Sequence, residues 1–249
     1  MAFRIWLSLL FVASASASEL KACYRAFLGF LPVAETCISY KLKGALLHVE
    51  SVVKTVNVGK IAKRVNNKGS SSILLDGLEP KTFEYYQEEG TFKRYQRYQF
   101  EGNKIQTLEI EYEGLSEKAE STEEKTFEYR GFVDPYTASL RLYKDLQKAE
   151  RGDIKIFYDQ KEYTVPYNVV LNEQVKTPAG TFNTKVVEVS PAIKTKGLLK
   201  PRGNWRLWID KRTNLPVRMD LTFAIGSVSA RLETLEGNQE LLETIFKKR

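Results

Sequence analysis

Residues that could perform catalysis are few in this sequence, and histidine is the scarcest of them. The chain of 249 residues has one histidine, His48, which lies on the polar side of a predicted strand. A serine or cysteine nucleophile needs a neighbouring base, so any such triad would have to use His48. A zinc site needs several closely spaced His or Cys ligands, and these are also missing. The sequence therefore predicts neither a triad hydrolase nor a metalloenzyme.

Pairs of carboxylates are the remaining source of acid–base chemistry. The chain has 31 aspartates and glutamates, and two of them at a suitable separation could hydrolyse a glycosidic bond. The sequence does not show which carboxylates face each other, so a glycan hydrolase stays as the least favoured of three hypotheses. We expect a protein that is not an enzyme and that uses no cofactor and no metal.

The two cysteines, Cys23 and Cys37, lie close together near the start of the chain. In an oxidising compartment, an even number of cysteines indicates a disulfide. A Cys23–Cys37 bridge would close a loop of about 15 residues and stabilise the fold by about 3 kcal/mol on the chain-entropy estimate. The alternatives are two buried free thiols, or lipid attachment at Cys23, since Leu20-Lys21-Ala22-Cys23 has the outline of a lipid-attachment box.

Residues 1–17 have the pattern of a secretory signal peptide. Arg4 precedes an apolar stretch, and small residues then alternate up to expected cleavage sites after Ala15 or Ala17. The apolar stretch is shorter than the roughly 20 residues of a membrane-spanning helix. The sequence thus predicts export to the periplasm. The net charge is +7 for the whole sequence and +6 without Arg4, and such a basic exported protein favours anionic lipid headgroups or envelope polymers as partners over nucleic acid.

Most of the chain after residue 38 alternates between apolar and polar residues with the period of a β-strand. Residues 217–225 carry large apolar side chains at every odd position. Pro178 and Gly180 predict a turn between two strands, and Gly226 predicts a bend or bulge within a long strand. The sequence therefore predicts a single β-rich domain over residues 38–235.

Helical spacing occurs in three places. Residues 19–31 carry an apolar stripe that ends at Pro32, which predicts an amino-terminal helical segment within residues 18–37. Asp134 and Pro135 supply an N-cap and a first helical residue for a helix that extends towards Gly152. Residues 236–249 carry a third short stripe and predict a carboxy-terminal helical tail. Each apolar stripe must pack against the sheet.

A strand over residues 91–100 interleaves aromatic and basic side chains. In a cytoplasmic protein, this pattern would favour stacking on nucleic acid bases. In an exported protein, it is better suited to an anionic headgroup. The simpler interpretation is a solvated strand with its aromatic residues packed beneath it. The interleaved residues are Phe92, Lys93, Arg94, Tyr95, Arg97, Tyr98 and Phe100.

Three short segments, in their order and spacing, resemble a bacterial envelope family known only as domain of unknown function three-one-zero-eight. They read DPYTASLRLY from Asp134, VKTPAGTF from Val175, and LWID from Leu207, followed by LPVR and Gly226. The resemblance covers about residues 38–232 and implies an incomplete antiparallel barrel with helices over its concave side. Such a fold is similar to that of outer-membrane lipoprotein carriers, which is an analogy of fold alone.

The favoured hypothesis is a mainly β protein whose curved antiparallel sheet, or incomplete barrel, shelters a lipid or acylated molecule. The expected cavity wall consists of Trp205, Leu207, Met219, Leu221 and Phe223. An anionic headgroup is expected to meet Arg202, Arg206 and Arg218. The alternative is an envelope structural or assembly protein without a cavity, which binds a protein partner. Peripheral contact with a membrane fits either hypothesis.

Overall fold

The alternating pattern of the sequence produces one large antiparallel sheet. A computed structural model describes residues 18–56, 64–114, 116–224 and 226–247, so the predicted signal peptide lies outside the described residues. The strands are β1 (Glu19–Leu28), β2 (Leu31–Lys43), β3 (Leu46–Thr55), β4 (Asn66–Leu74), β5 (Glu79–Glu89), β6 (Phe92–Glu101), β7 (Lys104–Tyr112), β8 (Ala119–Glu128), β9 (Arg151–Tyr158), β10 (Lys161–Thr177), β11 (Gly180–Val189), β12 (Trp205–Asp210), β13 (Pro216–Phe223) and β14 (Gly226–Gly237). The helices are α1 (Pro135–Asp145) and α2 (Leu241–Lys247), with a 3₁₀ turn at Asp76–Leu78.

The 14 strands of the described residues form one sheet in the order β8-β7-β6-β5-β4-β3-β2-β1-β14-β13-β12-β11-β10-β9. Neighbouring strands are mostly consecutive in the chain, and the β1–β14 pair joins its two halves. β8 and β9 form the two edges, and no hydrogen-bonded ladder between them closes the sheet. The predicted curved sheet or incomplete barrel is therefore confirmed. No described helix is both long and apolar enough to span a bilayer.

The predicted amino-terminal helix is wrong, because residues 19–28 form the strand β1. Leu20, Ala22 and Tyr24 alternate along this strand and are almost fully buried. Pairing with both β2 and β14 provides these residues with a buried face and satisfies the backbone on both sides. The sheet thus begins at Glu19, and the predicted domain boundary at residue 38 falls within β2.

The predicted disulfide is confirmed. Cys23 and Cys37 stand directly opposite each other in the β1–β2 pair, and their sulfur atoms are bonded. The bond connects two strands at the centre of the sheet, where β1 also meets β14. Neither sulfur is left as a free thiol or as a site for a lipid.

Gly226 reverses the chain, where a bend within one long strand was predicted. β13 ends at Phe223, β14 begins at Gly226, and these two residues are partners in the ladder. The φ of Gly226 is 130°, a value that L residues rarely adopt, so glycine permits the tight reversal. The alternation on both sides of Gly226 is real, but it belongs to two paired strands.

The edge strand β8 is the more polar of the sheet's two edge strands. Nearly all of its residues are exposed, and five of its ten residues are charged. Charged side chains on an edge strand discourage pairing with another chain. Its one half-buried aromatic residue, Phe127, contacts Phe157 of β9 with ring centroids 5.3 Å apart. Side chains therefore connect the two sheet edges at this point.

α1 lies on the concave side of the sheet and begins where the sequence predicted. The Asp134 carboxylate accepts hydrogen bonds from the backbone N–H groups of Tyr136 and Thr137, at 2.9 and 3.2 Å. The Tyr136 hydroxyl lies 2.6 Å from the hydroxyl of Ser51 on β3. A Cβ at Gly69 of β4 would lie only 2.0 Å from the same hydroxyl, so the sheet needs glycine there to admit the helix.

α2 confirms the predicted helical tail over Leu241–Lys247. Its four apolar side chains, Leu241, Leu242, Ile245 and Phe246, are all buried. They join the main hydrophobic cluster, which also contains α1 and the inward-facing residues of most strands.

Replacement of Asp134 by alanine should lower the free energy of unfolding by about 1–2 kcal/mol, because two backbone donors at the start of α1 lose their acceptor. Asp134→Asn retains a side-chain oxygen as acceptor and should lower the free energy of unfolding much less. Urea unfolding followed by circular dichroism measures both variants. Equal losses for alanine and asparagine would contradict the capping role.

Candidate functional site

A cavity of about 390 Å³ lies between the concave side of the sheet and α1. This volume falls within the range of about 300–1,000 Å³ of small-molecule sites. Its lining is mainly aliphatic and aromatic. The lining residues from the sheet and α1 include Ile38, Tyr40, Val49, Val53, Tyr85, Ala138, Leu142, Tyr143, Ile154, Val165, Val189, Trp205 and Leu207.

The connection between β11 and β12, residues 190–204, crosses the concave side and is here called the strap. Strap residues Pro191, Ile193, Thr195, Leu199 and Pro201 line the cavity. Beside β13, the strap is anchored by backbone hydrogen bonds, including one of 2.9 Å from the N–H of Ala224 to the carbonyl of Lys200. The strap therefore forms part of the cavity wall and links the two halves of the sheet.

Glu89, at the end of β5, holds the strap from the opposite half of the sheet, at the residues just before Lys200. Its carboxylate accepts hydrogen bonds from the backbone N–H groups of Leu198 and Leu199, and from the side chains of Asn67 and Gln87. Gly197 makes this approach possible. A Cβ at Gly197 would lie 2.4 Å from the Glu89 carboxylate, and its φ of 88° favours glycine. The strap is thus latched to the end of β5.

Arg94 of β6 lies behind the polar end of the cavity, and its side chain is fully buried. One terminal nitrogen forms an ion pair with Asp159 in the β9–β10 turn and lies 3.9 Å from the Glu109 carboxylate. The other donates to the side-chain oxygen of Gln87 at 3.1 Å and to the hydroxyl of Thr195 at 3.4 Å. Arg94 therefore ties β6 to β9, to the strap and to the cavity wall.

The sequence predicted the wrong environment for Arg94. The run of residues 91–100 was interpreted as a solvated strand over packed aromatic residues. In β6 the inward-facing positions are Arg94, Gln96, Tyr98 and Phe100, and the exposed Arg97 faces outward. A signal was present: Arg94 shares the period-two face of Tyr98 and Phe100. The distant Asp159 that makes burial of this charge tolerable could not be identified from spacing.

The carboxyl group of Glu109, on β7, is also set back from solvent. Burial raises its pKa above the ordinary value, and hydrogen bonding from Gln96 and the charge of Arg94 offset part of the effect. The side-chain nitrogen of Gln96 donates to Glu109 at 2.8 Å, and the hydroxyl of Tyr98 donates at 3.2 Å. Glu109 and Asp159 are thus two carboxylates that share Arg94 as their cation, and neither lines the cavity.

The predicted wall residues divide into two groups. Trp205 and Leu207 line the cavity, as the hypothesis requires. Met219 packs against the main cluster, and Phe223 contacts the Trp205 ring with centroids 5.4 Å apart. Met219, Leu221 and Phe223 are absent from the cavity lining, because β13 lies one strand further from the strap-covered space than β12.

The three predicted headgroup arginines do not converge. Arg206 alternates with the cavity residue Leu207, so it lies on the convex face, where it pairs with Glu188 at 2.5 Å. Arg218 is on the same face, 2.7 Å from Asp220 and stacked 4.3 Å from the ring of Trp208. Only Arg202 is on the strap, next to the cavity residue Pro201. Period-two alternation placed the other two on the far side of the sheet.

The described residues contain no group of three or more His, Cys, Asp or Glu side chains arranged to hold a metal ion. His48 is half-buried on β3, with Nδ1 3.0 Å from the hydroxyl of Ser72. The chemistry that the cavity offers is therefore that of an apolar container with hydrogen-bonding groups at one end.

Arg94→Met should lower the free energy of unfolding by about 3–5 kcal/mol, because the buried carboxylates of Asp159 and Glu109 lose their cation. Arg97→Met, on the exposed face of the same strand, is the matched control and should change it by about 0.5 kcal/mol or less. Urea unfolding at neutral pH measures both. Similar values for the two variants would show that the buried ion pair does not hold the sheet edges together.

Glu109→Gln should change how stability depends on pH. Because the folded pKa of Glu109 lies above its ordinary value of 4.5, the folded state retains a proton that the unfolded chain releases as the pH rises. The stabilisation that Glu109 contributes is fully present below the ordinary pKa and is lost as the pH rises through the folded pKa. The free energy of unfolding of Glu109→Gln, measured by urea unfolding, should therefore rise relative to that of the wild type as the pH rises from the ordinary pKa through the folded pKa. Exposed Glu101→Gln is the control, and parallel profiles for wild type and Glu109→Gln would contradict the prediction.

Solved structures of three bacterial proteins align with this chain. A β-barrel-like protein of the DUF1849 family from Brucella abortus aligns with a TM-score of 0.53 at 12% identity, over 89% of this chain and 98% of its own. A predicted exported protein with a YmcC-like fold from Bacteroides fragilis aligns with a TM-score of 0.40 at 10% identity, over 88% of this chain and 96% of its own. A predicted lipoprotein from Parabacteroides distasonis aligns with a TM-score of 0.36 at 14% identity, over 89% of this chain and 96% of its own.

No curated protein matches the chain. The likeness to the Brucella abortus protein, at its low identity, supports the fold alone. The sequence match is more specific, since the model of a family described as "Protein of unknown function (DUF3108)" covers residues 23–233, from Cys23 on β1 to Glu233 on β14. The chain belongs to the DUF3108 family.

Proposed function

We propose that this protein binds a lipid or another acylated molecule in its cavity and that it acts as a non-enzymatic carrier or receptor in the periplasm. The observation that supports the proposal is the apolar cavity of about 390 Å³ beneath the strap. An interior filled by side chains would instead have favoured an assembly protein. The cavity is therefore the feature that separates the two hypotheses.

The character of the wall suits a chain-like apolar ligand. Aliphatic residues of the sheet, α1 and the strap form much of it, together with aromatic rings that include five tyrosines. Burial of methylene groups stabilises such a complex by about 0.8 kcal/mol per group. The polar end, formed by Gln87, Glu89 and Thr195 in front of Arg94, provides hydrogen-bonding groups for further polar atoms of the ligand.

Entry past the strap would bring the ligand head close to Arg202. This side chain is exposed, and its backbone N–H is fixed to the carbonyl of Thr222 at 2.9 Å. It makes no ion pair within the described part of the chain, so it is available for an anionic head. Of the three predicted headgroup arginines, it is the one that we retain.

Location in the periplasm is part of the proposal. The predicted signal peptide directs the chain out of the cytoplasm, and the Cys23–Cys37 disulfide forms in an oxidising compartment.

Binding can be measured by titration with a fluorescent fatty acid and by native mass spectrometry of protein purified from its own envelope. Val53→Trp fills the cavity from β3 and should weaken binding of the fluorescent fatty acid by about tenfold, which corresponds to a loss of roughly 1.4 kcal/mol. The matched control is Val52→Trp, on the convex face of the same strand, which should bind normally.

A wild-type protein that carries no lipid mass and does not bind the fatty acid would overturn the proposal. Equal weakening by Val53→Trp and Val52→Trp would also count against it, since the cavity would then not be the site.

A further inference from the structure

The turn between β1 and β2 exposes large apolar side chains. It consists of Leu28, Gly29, Phe30 and Leu31 and is here called the β1–β2 tip. Leu28, Phe30 and Leu31 are 51%, 88% and 42% exposed. Gly29 has a φ of 62°, and a Cβ there would meet nothing within 4 Å. The tip therefore stands clear of the rest of the protein with its apolar residues in water.

This exposure is concentrated in one place. Among the described residues, only two other large hydrophobic side chains are exposed, Val170 at 38% and Leu171 at 46%. Both lie on β10, and four strands separate β10 from β1 in the sheet. Contiguous exposed apolar groups on a soluble domain mark a site of interaction, whereas scattered ones need no explanation.

The antiparallel order places the tip at the same end of the sheet as the strap. At this end of the strands, β1 ends, β14 begins beside it, and β13 ends at Phe223. Pro201 of the strap bridges to Phe223 at that point. The β1–β2 tip and the strap over the cavity therefore belong to one end of the molecule.

Basic residues surround this end. Arg231 on β14 lies with its guanidinium 5.9 Å from the ring of Phe27, just below the tip. Arg231, Arg202, Lys194 and Lys200 make no ion pair within the described part of the chain. Arg25 is different, because it is shared between Glu35 at 3.5 Å and Glu233 at 3.8 Å. The unpaired charge here is therefore positive.

We propose that the protein docks on an anionic lipid bilayer through this end, with the β1–β2 tip inserted among the lipids. Apolar side chains on a protruding turn gain free energy by entering the boundary between headgroups and acyl chains, and nearby arginines and lysines attract anionic headgroups. A narrow tip suits a bilayer better than a protein partner, because a stable protein interface buries about 1,200–2,000 Å². Docking this way brings the strap close to the membrane surface.

The proposal holds whether or not the cavity carries a ligand, and co-sedimentation with vesicles tests it. The wild-type protein should bind vesicles containing phosphatidylglycerol more tightly than vesicles of phosphatidylcholine alone, and less tightly at high salt, where charge attraction is screened. The double substitution of Phe30 and Leu31 by serine should weaken binding by about tenfold. Serine at Val170 and Leu171, the other exposed apolar pair, is the matched control and should bind as wild type does.

Insertion itself can be followed with Phe30→Trp. Its emission should shift to shorter wavelength on binding and should be quenched by brominated acyl chains. Arg231→Gln should reduce the preference for phosphatidylglycerol and leave the quenching in place.

The proposal would be overturned by wild-type protein that does not bind either type of vesicle, by equal losses for the tip and β10 variants, or by an unquenched tryptophan at position 30. Val53→Trp separates the two proposals, because it blocks the cavity and should leave vesicle binding unchanged. Loss of fatty acid binding with intact vesicle binding would therefore bear on the cavity alone.

Discussion

The ion pair between Arg94 and Asp159 holds together a sheet that backbone hydrogen bonds leave open. The two edge strands, β8 and β9, are not paired with each other, and a short parallel bridge between Val133 and Ile156 is supplemented by side-chain contacts. Rings of Phe127, Tyr98 and Phe157 supply the apolar part of that contact. A charge as deeply buried as that of Arg94 is tolerated only with a partner, and its partner lies at the far end of the sheet. This contact joins β6, near one edge of the sheet, to the turn that follows β9 at the other edge.

The cavity exists because different elements bound it on different sides. α1 occupies part of the concave side and is held by the Asp134 cap and by the fit of Tyr136 against Gly69. The strap covers another part and is held by Glu89 of β5 at Leu198 and Leu199, and by β13 at the residues that follow. The space between them is not filled, and its wall is mostly apolar. A ligand would supply the packing that the chain itself does not provide there.

Local chemistry made much of the fold predictable. Asp134 and Pro135 mark the start of α1, since cap and first-turn geometry depend on adjacent residues. Turn residues such as Pro178 and Gly180 likewise located a hairpin. Residues 19–28 were misassigned because a short apolar pattern fits both periods, and the pairing of β1 with the distant β14 decided between them. Gly226 was assigned to a bend or bulge within one strand, because glycine occurs both in bulges and in tight reversals of the chain.

The sequence by itself determined the strand-rich class, the main helix, the disulfide and a family resemblance, because each rests on neighbouring residues or on a count. The tertiary structure alone decided which side chains meet. It placed Arg206 and Arg218 on the convex face, buried Arg94 against Asp159, and set Glu89 under the strap. These contacts join residues that lie far apart in the chain, and spacing along a sequence carries no information about the curvature that brings them together.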